Sequence, residues 1–178
     1  RGSLPGLSAN VLTQRLEALE EAGIMRRRRL APPASVQVYE LTDWGREAEP
    51  IICGLGRWAA RSPLHDPTLP LSPVSLILSL RTMFDATKAA GVDVTLGLRF
   101  GEEVFTARVR NGALFADRGA PSAPDATVTG RADAFAGFIY GFRDLETLEG
   151  EGALAVEGDR AAVGRFASIW DLPPKAIG

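Results

Sequence analysis

The sequence predicts an α+β protein with two domains, a small helical one and a larger one built on a sheet. Of its 178 residues 46% are hydrophobic, which is enough to form a core in one domain or two small ones. Residues 1–61 follow the order helix, two strands, helix, whereas residues 72–178 alternate short strands with helices. Three prolines lie in residues 62–71, which we therefore predict to be a linker.

A first helix is predicted over residues 9–22, where apolar residues recur at helical spacing. Ser8 is a suitable N-cap and Gly23 a suitable end for this helix. The preceding residues 1–7 offer no helix start and no initiator methionine. We therefore expect the chain to begin partway through an element, with further residues upstream in the native protein.

A hairpin and a second helix follow. Residues 24–30 and 36–41 have strand character, and the turn between them contains two prolines. Thr42 or Asp43 then caps the second helix, in which Pro50 is expected to cause a kink or a restart. The apolar face of this helix consists of Ile51, Ile52, Leu55 and Trp58.

Helix, hairpin and helix in this order form the end of a winged helix-turn-helix, in which the helix before the hairpin enters the DNA major groove. One face of that helix packs on the core through Leu12, Leu16 and Leu19. The opposite face presents Asn10, Thr13 and Gln14 near the helix N-terminus, with Arg15 beside them. Asn and Gln can pair with adenine, and Arg with guanine or phosphate, so this face is a candidate DNA contact.

Four consecutive arginines, Arg26 to Arg29, occupy the first strand of the hairpin, which is the wing of this fold. Side chains alternate along a strand, so at most two of them face DNA from one side. The other two are expected to lie over the domain surface or to pair with acids. A solvated strand edge that discourages aggregation is the alternative interpretation. Residues 1–61 carry a net charge of +2 and the rest of the chain −4, which also suggests different roles.

A family pattern runs through residues 1–61. It comprises Leu4-Pro5-Gly6-Leu7-Ser8, Leu12, Arg15-Leu16, Leu19-Glu20, Ala22-Gly23-Ile24, Arg27, Tyr39-Glu40-Leu41-Thr42, Gly45 and Trp58. The pattern resembles the HxlR-type transcriptional regulators and implies a homodimer that binds double-stranded DNA. The positions that the resemblance assigns to DNA contact are Ser8, Asn10, Thr13, Gln14 and Arg15 on the helix and Arg26, Arg27, Arg28 and Arg29 on the wing.

The chain departs from this family at its start. The family's N-terminal helices, and the cysteine that some members use there as a redox sensor, have no counterpart in this sequence. Cys53 lies later, in the helix after the wing, and does not match that sensor. We expect it to be a buried thiol in the core or at a dimer interface.

Residues 72–178 predict one mainly antiparallel sheet with helices packed on it. Ser72-Pro73 opens a helix, and Asn111-Gly112 is a strong hairpin signal. Strands are predicted over residues 92–100, 104–109, 113–116, 126–130 and 154–156, and further helices over 132–140 and 160–169.

The segment Asp125 to Gly130, a Phe-rich helix and the segment Gly150 to Asp159 together resemble the sterol-carrier-protein-like fold. That fold implies a hydrophobic tunnel for acyl chains, sterols or other small hydrophobic ligands. Candidate lining residues are Leu80, Phe84, Phe100, Phe105, Phe115, Phe135, Phe138, Ile139 and Phe142. The same residues also suit an ordinary core. Arg108, Arg110 or Arg131 could anchor a ligand carboxylate, although a surface role suits them better.

The sequence contains few groups suited to catalysis. One cysteine and one histidine, His65, leave no thiolate cluster and no histidine pair for a metal. The sequence has no G-x-S-x-G motif and no Gly-rich phosphate loop. We therefore expect neither an enzyme nor a cofactor. With no membrane-length apolar run and no signal peptide at its start, the chain is expected in the cytoplasm.

Three hypotheses follow. In the first, the protein is a transcriptional regulator whose C-terminal domain senses a small hydrophobic ligand. In the second, it binds DNA and the C-terminal domain is a ligand-free module for dimerisation or partner docking. In the third, it is a lipid carrier in which the winged helix contacts another protein. The polar face of the first helix and the arginine run favour the first two hypotheses.

Overall fold

The computed structural model describes residues 8–32 and 34–177 and divides into two compact units, residues up to Leu55 and residues from Gly56 onward. The predicted α+β fold class is confirmed. In chain order the elements of the first unit are α1 Ala9–Glu21, β1 Met25–Arg29, β2 Gln37–Leu41 and α2 Asp43–Ala60, whose last residues belong to the second unit.

Local signals explain where these elements begin and end. Ser8 caps α1, since its hydroxyl accepts a hydrogen bond from the Val11 amide at 3.3 Å. Gly23, with a φ of 74°, follows the helix end. Thr42 caps α2 by accepting from the Gly45 amide at 3.0 Å. The restart expected at Pro50 is not found, because α2 continues through this residue.

The strands of the wing pair in a defined antiparallel register. Arg26 lies opposite Glu40, Arg27 opposite Tyr39, and Arg29 opposite Gln37. Successive side chains point to opposite faces of the ribbon, so Arg26 and Arg28 share one face and Arg27 and Arg29 share the other. Pro33, one of the two prolines of the predicted turn, lies outside the described residues.

The second unit contains a five-stranded sheet with helices packed on it. Its elements are α3 Pro73–Met83, β3 Val94–Phe100, β4 Glu103–Arg110, β5 Ala113–Arg118, β6 Ala126–Gly130, α4 Ala132–Ile139, α5 Leu145–Gly150, β7 Leu154–Gly158 and α6 Arg160–Ala167. The strand order is β5-β4-β3-β6-β7. Only the β3–β6 pair is parallel within this sheet, so it is mainly antiparallel, as predicted. The Asn111-Gly112 turn joins β4 to β5, with positive φ at both residues.

The core of the second unit lies between the sheet and helices α3, α4 and α6. Phe135 of α4 and Phe166 of α6 are fully buried, with ring centroids 6.4 Å apart. Trp170 extends this aromatic cluster, since its ring lies 5.2 Å from Phe166 and 5.7 Å from Phe84. Among the described residues, no helix is both long and apolar enough to cross a membrane.

Candidate functional site

The N-terminal half of α1 presents the polar face that the sequence predicted. Asn10, Thr13, Gln14 and Arg15 are exposed, whereas Leu12 and Leu16 on the other side are half-buried. The Thr13 hydroxyl donates to the Ala9 carbonyl at 3.0 Å, so its proton is already used within the helix. The first turn of the helix supplies a partial positive charge on this surface.

Arg26 and Arg28 on one face of the wing share a single acid, Glu40 of β2. Nε of Arg26 donates to Glu40 Oε1 at 2.6 Å, and Nη1 of Arg28 donates to Oε2 at 3.1 Å. The hydrogen bonds from Arg28 and then Arg26 hold the pKa of Glu40 below its ordinary range. Since one carboxylate faces two guanidinium groups, this face keeps a net charge of about +1.

Arg27, on the other face of the wing, joins β1 to α1. Its Nε lies 2.7 Å from the Glu20 carboxylate, and its guanidinium lies 5.5 Å from the centre of the Tyr39 ring. Glu17 lies 3.6 Å from the same guanidinium. The Glu20 carboxylate is the largest cause of a raised pKa of Arg27. Arg27 is therefore committed to contacts inside its own unit.

Arg15 on α1 and Arg29 on β1 have no hydrogen-bond or ion-pair partner within residues 8–32 and 34–177. Both are exposed. The five arginines predicted to contact DNA thus fall into three groups. Two are unpaired, two share the Glu40 carboxylate, and Arg27 is bound to acidic and aromatic groups of its own unit. We call the exposed first turns of α1 together with Arg15 and Arg29 the basic surface.

The second unit contains a pocket of about 400 Å³ with a mostly apolar lining. It is formed by the last residues of α2, the proline-rich segment 65–71, and helices α3 and α4. Apolar side chains that line it include Leu69, Leu71, Leu78, Met83 and Leu172. Its volume lies within the range typical of small-molecule sites.

A pair of hydroxyl groups lies in the wall of this pocket. The Tyr140 and Ser79 hydroxyls are hydrogen-bonded to each other at 2.6 Å. Burial raises the pKa of Tyr140 to about 12, so the phenol is uncharged at neutral pH. His65 also lines the pocket; it is half-buried, whereas a lone histidine in a linker is expected to be solvated.

The C-terminal segment holds the end of α2 beside the pocket. The Lys175 ammonium donates to the carbonyls of Ala60, Ser62 and His65 at 3.3, 3.0 and 2.9 Å. The Arg57 guanidinium donates to the Thr82 carbonyl at the end of α3 at 2.6 Å. These contacts fix the last residues of α2 and the proline-rich segment within the second unit.

The ligand-lining residues predicted from the sequence do not line this pocket. Leu80, Phe100, Phe105, Phe135 and Ile139 are buried in the core, Phe84 and Phe138 are half-buried against it, and Phe115 and Phe142 are exposed. The proposed anchors are also on the surface: Arg131 pairs with Asp133, Arg110 with Asp93, and Arg108 lies over the Phe115 ring. Sequence reasoning missed the pocket, for which the two prolines and two leucines within residues 67–71 were the available signal.

Comparison with known proteins shows what the first unit is similar to. Residues 1–65 match the HxlR-like helix-turn-helix family, so the predicted resemblance is confirmed. Over 58 residues the chain is 40% identical to the uncharacterized HTH-type transcriptional regulator YvaP of Bacillus subtilis (strain 168). That alignment covers 32% of this chain and 53% of YvaP, so the chain spans about half the length of this curated relative.

Another family model covers most of the remaining residues. Residues 69–176 match the alkyl sulfatase C-terminal family, and the chain belongs to this family. The stereoselective inverting sec-alkylsulfatase Pisa1 from Pseudomonas sp. superimposes with a TM-score of 0.55 at 25% identity, over 61% of this chain and 18% of Pisa1. A UbiJ-SCP2 ubiquinone synthesis protein also matches, with a TM-score of 0.41 at 16% identity, over 67% of this chain and 88% of that one. Sterol carrier proteins are among the solved structures that match. The alkyl sulfatase family was not predicted from the sequence.

Proposed function

We propose that the protein is a DNA-binding transcriptional regulator that acts as a homodimer and responds to a small hydrophobic ligand. The observation that carries the proposal is the basic surface within an HxlR-like helix-turn-helix region. Unpaired guanidinium groups exchange their hydration for phosphate contacts more readily than groups that must first leave an acid. Arg15 and Arg29 are therefore the best candidates for DNA contact.

An apolar stripe on α2 supports dimer formation. Trp44, Ile51 and Leu55 are spaced by seven and four residues, which places them on one side of the helix. They are 59%, 73% and 62% exposed. Contiguous apolar side chains at this exposure are typical of an interface between subunits. Light scattering should give a dimer mass for the protein and a monomer mass for Ile51→Glu.

The basic surface is tested by two variants and a matched control. Arg15→Ala and Arg29→Ala should each weaken binding to the DNA upstream of the protein's own gene. Each should also lower the slope of log affinity against log salt concentration by about 2, as expected when one phosphate contact is lost in each protomer of the dimer. Arg99→Ala is the control, because Arg99 is exposed on β3 in the second unit and has no ion-pair partner in the described part of the chain.

The result contradicts the proposal if Arg99→Ala lowers the slope as much as Arg15→Ala and Arg29→Ala do. Binding by all three variants that equals the unmodified protein would show that Arg15 and Arg29 do not contact DNA.

A further inference from the structure

We propose that the pocket at the end of α2 binds an uncharged, mainly aliphatic molecule that carries one hydrogen-bonding oxygen, such as a long-chain alcohol. This assigns the ligand site to the proline-rich segment and its neighbours and not to the core beneath the sheet. Ligand binding at this site is inferred from the residues of the pocket. A role of that ligand in regulation rests on the proposed function.

The volume and lining of the pocket favour an aliphatic ligand. Leu69 and Leu71 from the proline-rich segment, Leu78 and Met83 from α3, and Leu172 from the C-terminal segment contribute apolar surface to one pocket. Burying an aliphatic chain against such surface is favourable by about 25 cal/mol for each Å² removed from water. At about 400 Å³ the pocket has room for a chain of moderate length.

The Tyr140–Ser79 pair supplies the polar contact. Each hydroxyl has one proton and two acceptor sites, and the hydrogen bond between the two uses only one of the protons. The second proton remains for an oxygen of the ligand, and the hydroxyl oxygens can accept from an alcohol proton. Neither group carries a charge at neutral pH, so the contact suits an alcohol or a carbonyl.

The charged groups of the lining are already compensated, which disfavours an ionic ligand. The Asp133 carboxylate pairs with Arg131, and the Asp66 carboxylate accepts from the Thr68 amide and hydroxyl at 2.9 and 2.7 Å. Hydrogen bonds from Thr68 lower the pKa of Asp66, and those from Arg131 lower the pKa of Asp133, so both remain ionised at neutral pH. An anionic ligand would be repelled by both carboxylates.

The position of the pocket connects it to regulation. Gly56, Ala59 and Ala60 of α2 line it, and the same helix begins at Asp43, directly after the wing. A ligand that contacts the last turn of α2 changes the free energy of one conformation of this helix relative to others. Ligand binding then shifts the population of DNA-binding conformations, if its affinity differs between them.

The first experiment measures binding without DNA. The neutral dye N-phenyl-1-naphthylamine is titrated into the full chain, and the bound dye is displaced with 1-decanol, decane or decanoate. We expect 1-decanol to bind more tightly than decane by about fivefold, the value of one neutral hydrogen bond. Decanoate should bind more weakly than 1-decanol.

Two variants locate the site. Ala59→Trp fills the pocket from an exposed helix position and should weaken dye and decanol binding by about tenfold or more. Ala161→Trp, at an exposed position of α6 that does not line the pocket, is the matched control and should bind normally. Tyr140→Phe should remove most of the preference for 1-decanol over decane while decane still binds. Equal binding by Ala59→Trp and Ala161→Trp, or tighter binding of decanoate than of 1-decanol, overturns the proposal.

A second experiment separates this inference from the proposed function. The affinity for the upstream DNA is measured with and without saturating 1-decanol, and the expected result is a change of about fivefold or more. Unchanged affinity in a protein that binds both the DNA and 1-decanol contradicts regulation through this pocket. If the protein does not prefer the upstream DNA, the proposed function is contradicted. The dye displacement experiment then still tests ligand binding in the pocket.

Discussion

Gly45, the third residue of α2, is predicted to be irreplaceable even by alanine. A Cβ atom at this position would lie 2.1 Å from the Ile24 carbonyl oxygen and 3.3 Å from Leu41 Cδ2. The ordinary distance between a carbon and a carbonyl oxygen is about 3.3 Å, so the helix start would have to move by about 1 Å. The atom in the way belongs to the backbone and cannot rotate aside.

The cost follows from the contacts made at this junction. Overpacking of this severity costs about 3 kcal/mol. The Thr42 amide donates to the same Ile24 carbonyl at 3.0 Å, and loss of this hydrogen bond adds about 1 kcal/mol. Alanine in place of glycine within a helix restores about 1 kcal/mol. Gly45→Ala should therefore destabilise the first unit by about 3 kcal/mol.

Gly54 in the same helix is the matched control. An added Cβ there meets no atom within 4 Å among the described residues, so Gly54→Ala should stabilise the helix by about 0.5–1 kcal/mol. Hydrogen–deuterium exchange of the Thr42 amide measures the effect. We expect exchange to be about 100-fold faster in Gly45→Ala and no faster in Gly54→Ala. Equal exchange in Gly45→Ala and the unmodified protein would refute the packing of α2 against Ile24.

Three further predictions concern the core, the pocket and the wing. Phe166→Ala should lower the free energy of unfolding of the second unit in urea by about 3–5 kcal/mol, because the ring is fully buried. Phe142→Ala, whose ring is exposed, should lower it by less than about 0.5 kcal/mol. Similar losses for the two variants would contradict this assignment of the core. Burial raises the pKa of Tyr140 from 10.0 to about 12 in the folded protein, so the unfolded chain loses the phenol proton at a lower pH than the folded protein does. The free energy of unfolding should therefore fall as the pH rises from the unfolded pKa to the folded pKa of this group. Urea unfolding of Tyr140→Phe should show a smaller alkaline loss, and an unchanged pH profile would contradict burial of the phenol. Arg27→Ala should accelerate amide exchange in β1, whereas Arg29→Ala should not, since only Arg27 contacts α1; equal exchange would show that the Glu20 contact does not hold the wing.

Local signals in the sequence were sufficient for most of the fold. Ser8, Thr42 and the Asn111-Gly112 turn each act on neighbouring backbone, so their effects were predictable. Helix α5, Leu145–Gly150, was missed because six residues are too few to show helical periodicity. Its N-cap, Asp144, which accepts from the Thr147 amide at 2.7 Å, was the signal available.

The candidate sites depended on contacts that the sequence does not specify. Alternation along β1 predicted two faces of arginines, but the register that places Glu40 opposite Arg26 decides which of them are paired. The pocket brings together segments far apart in the chain, since Leu69 and Leu172 both line it. Apolar residues occur both in cores and in the linings of ligand pockets. The sequence alone therefore could not separate the predicted ligand-lining residues from the core.

The most direct test of the central claim is fluorescence anisotropy of the protein on the DNA upstream of its own gene. A scrambled duplex of the same length and composition is measured beside it, and both are titrated across a salt series. We expect tighter binding to the native duplex, with an affinity that falls steeply as salt rises because the basic surface displaces counterions. Equally weak binding to both duplexes would contradict a DNA-binding regulator.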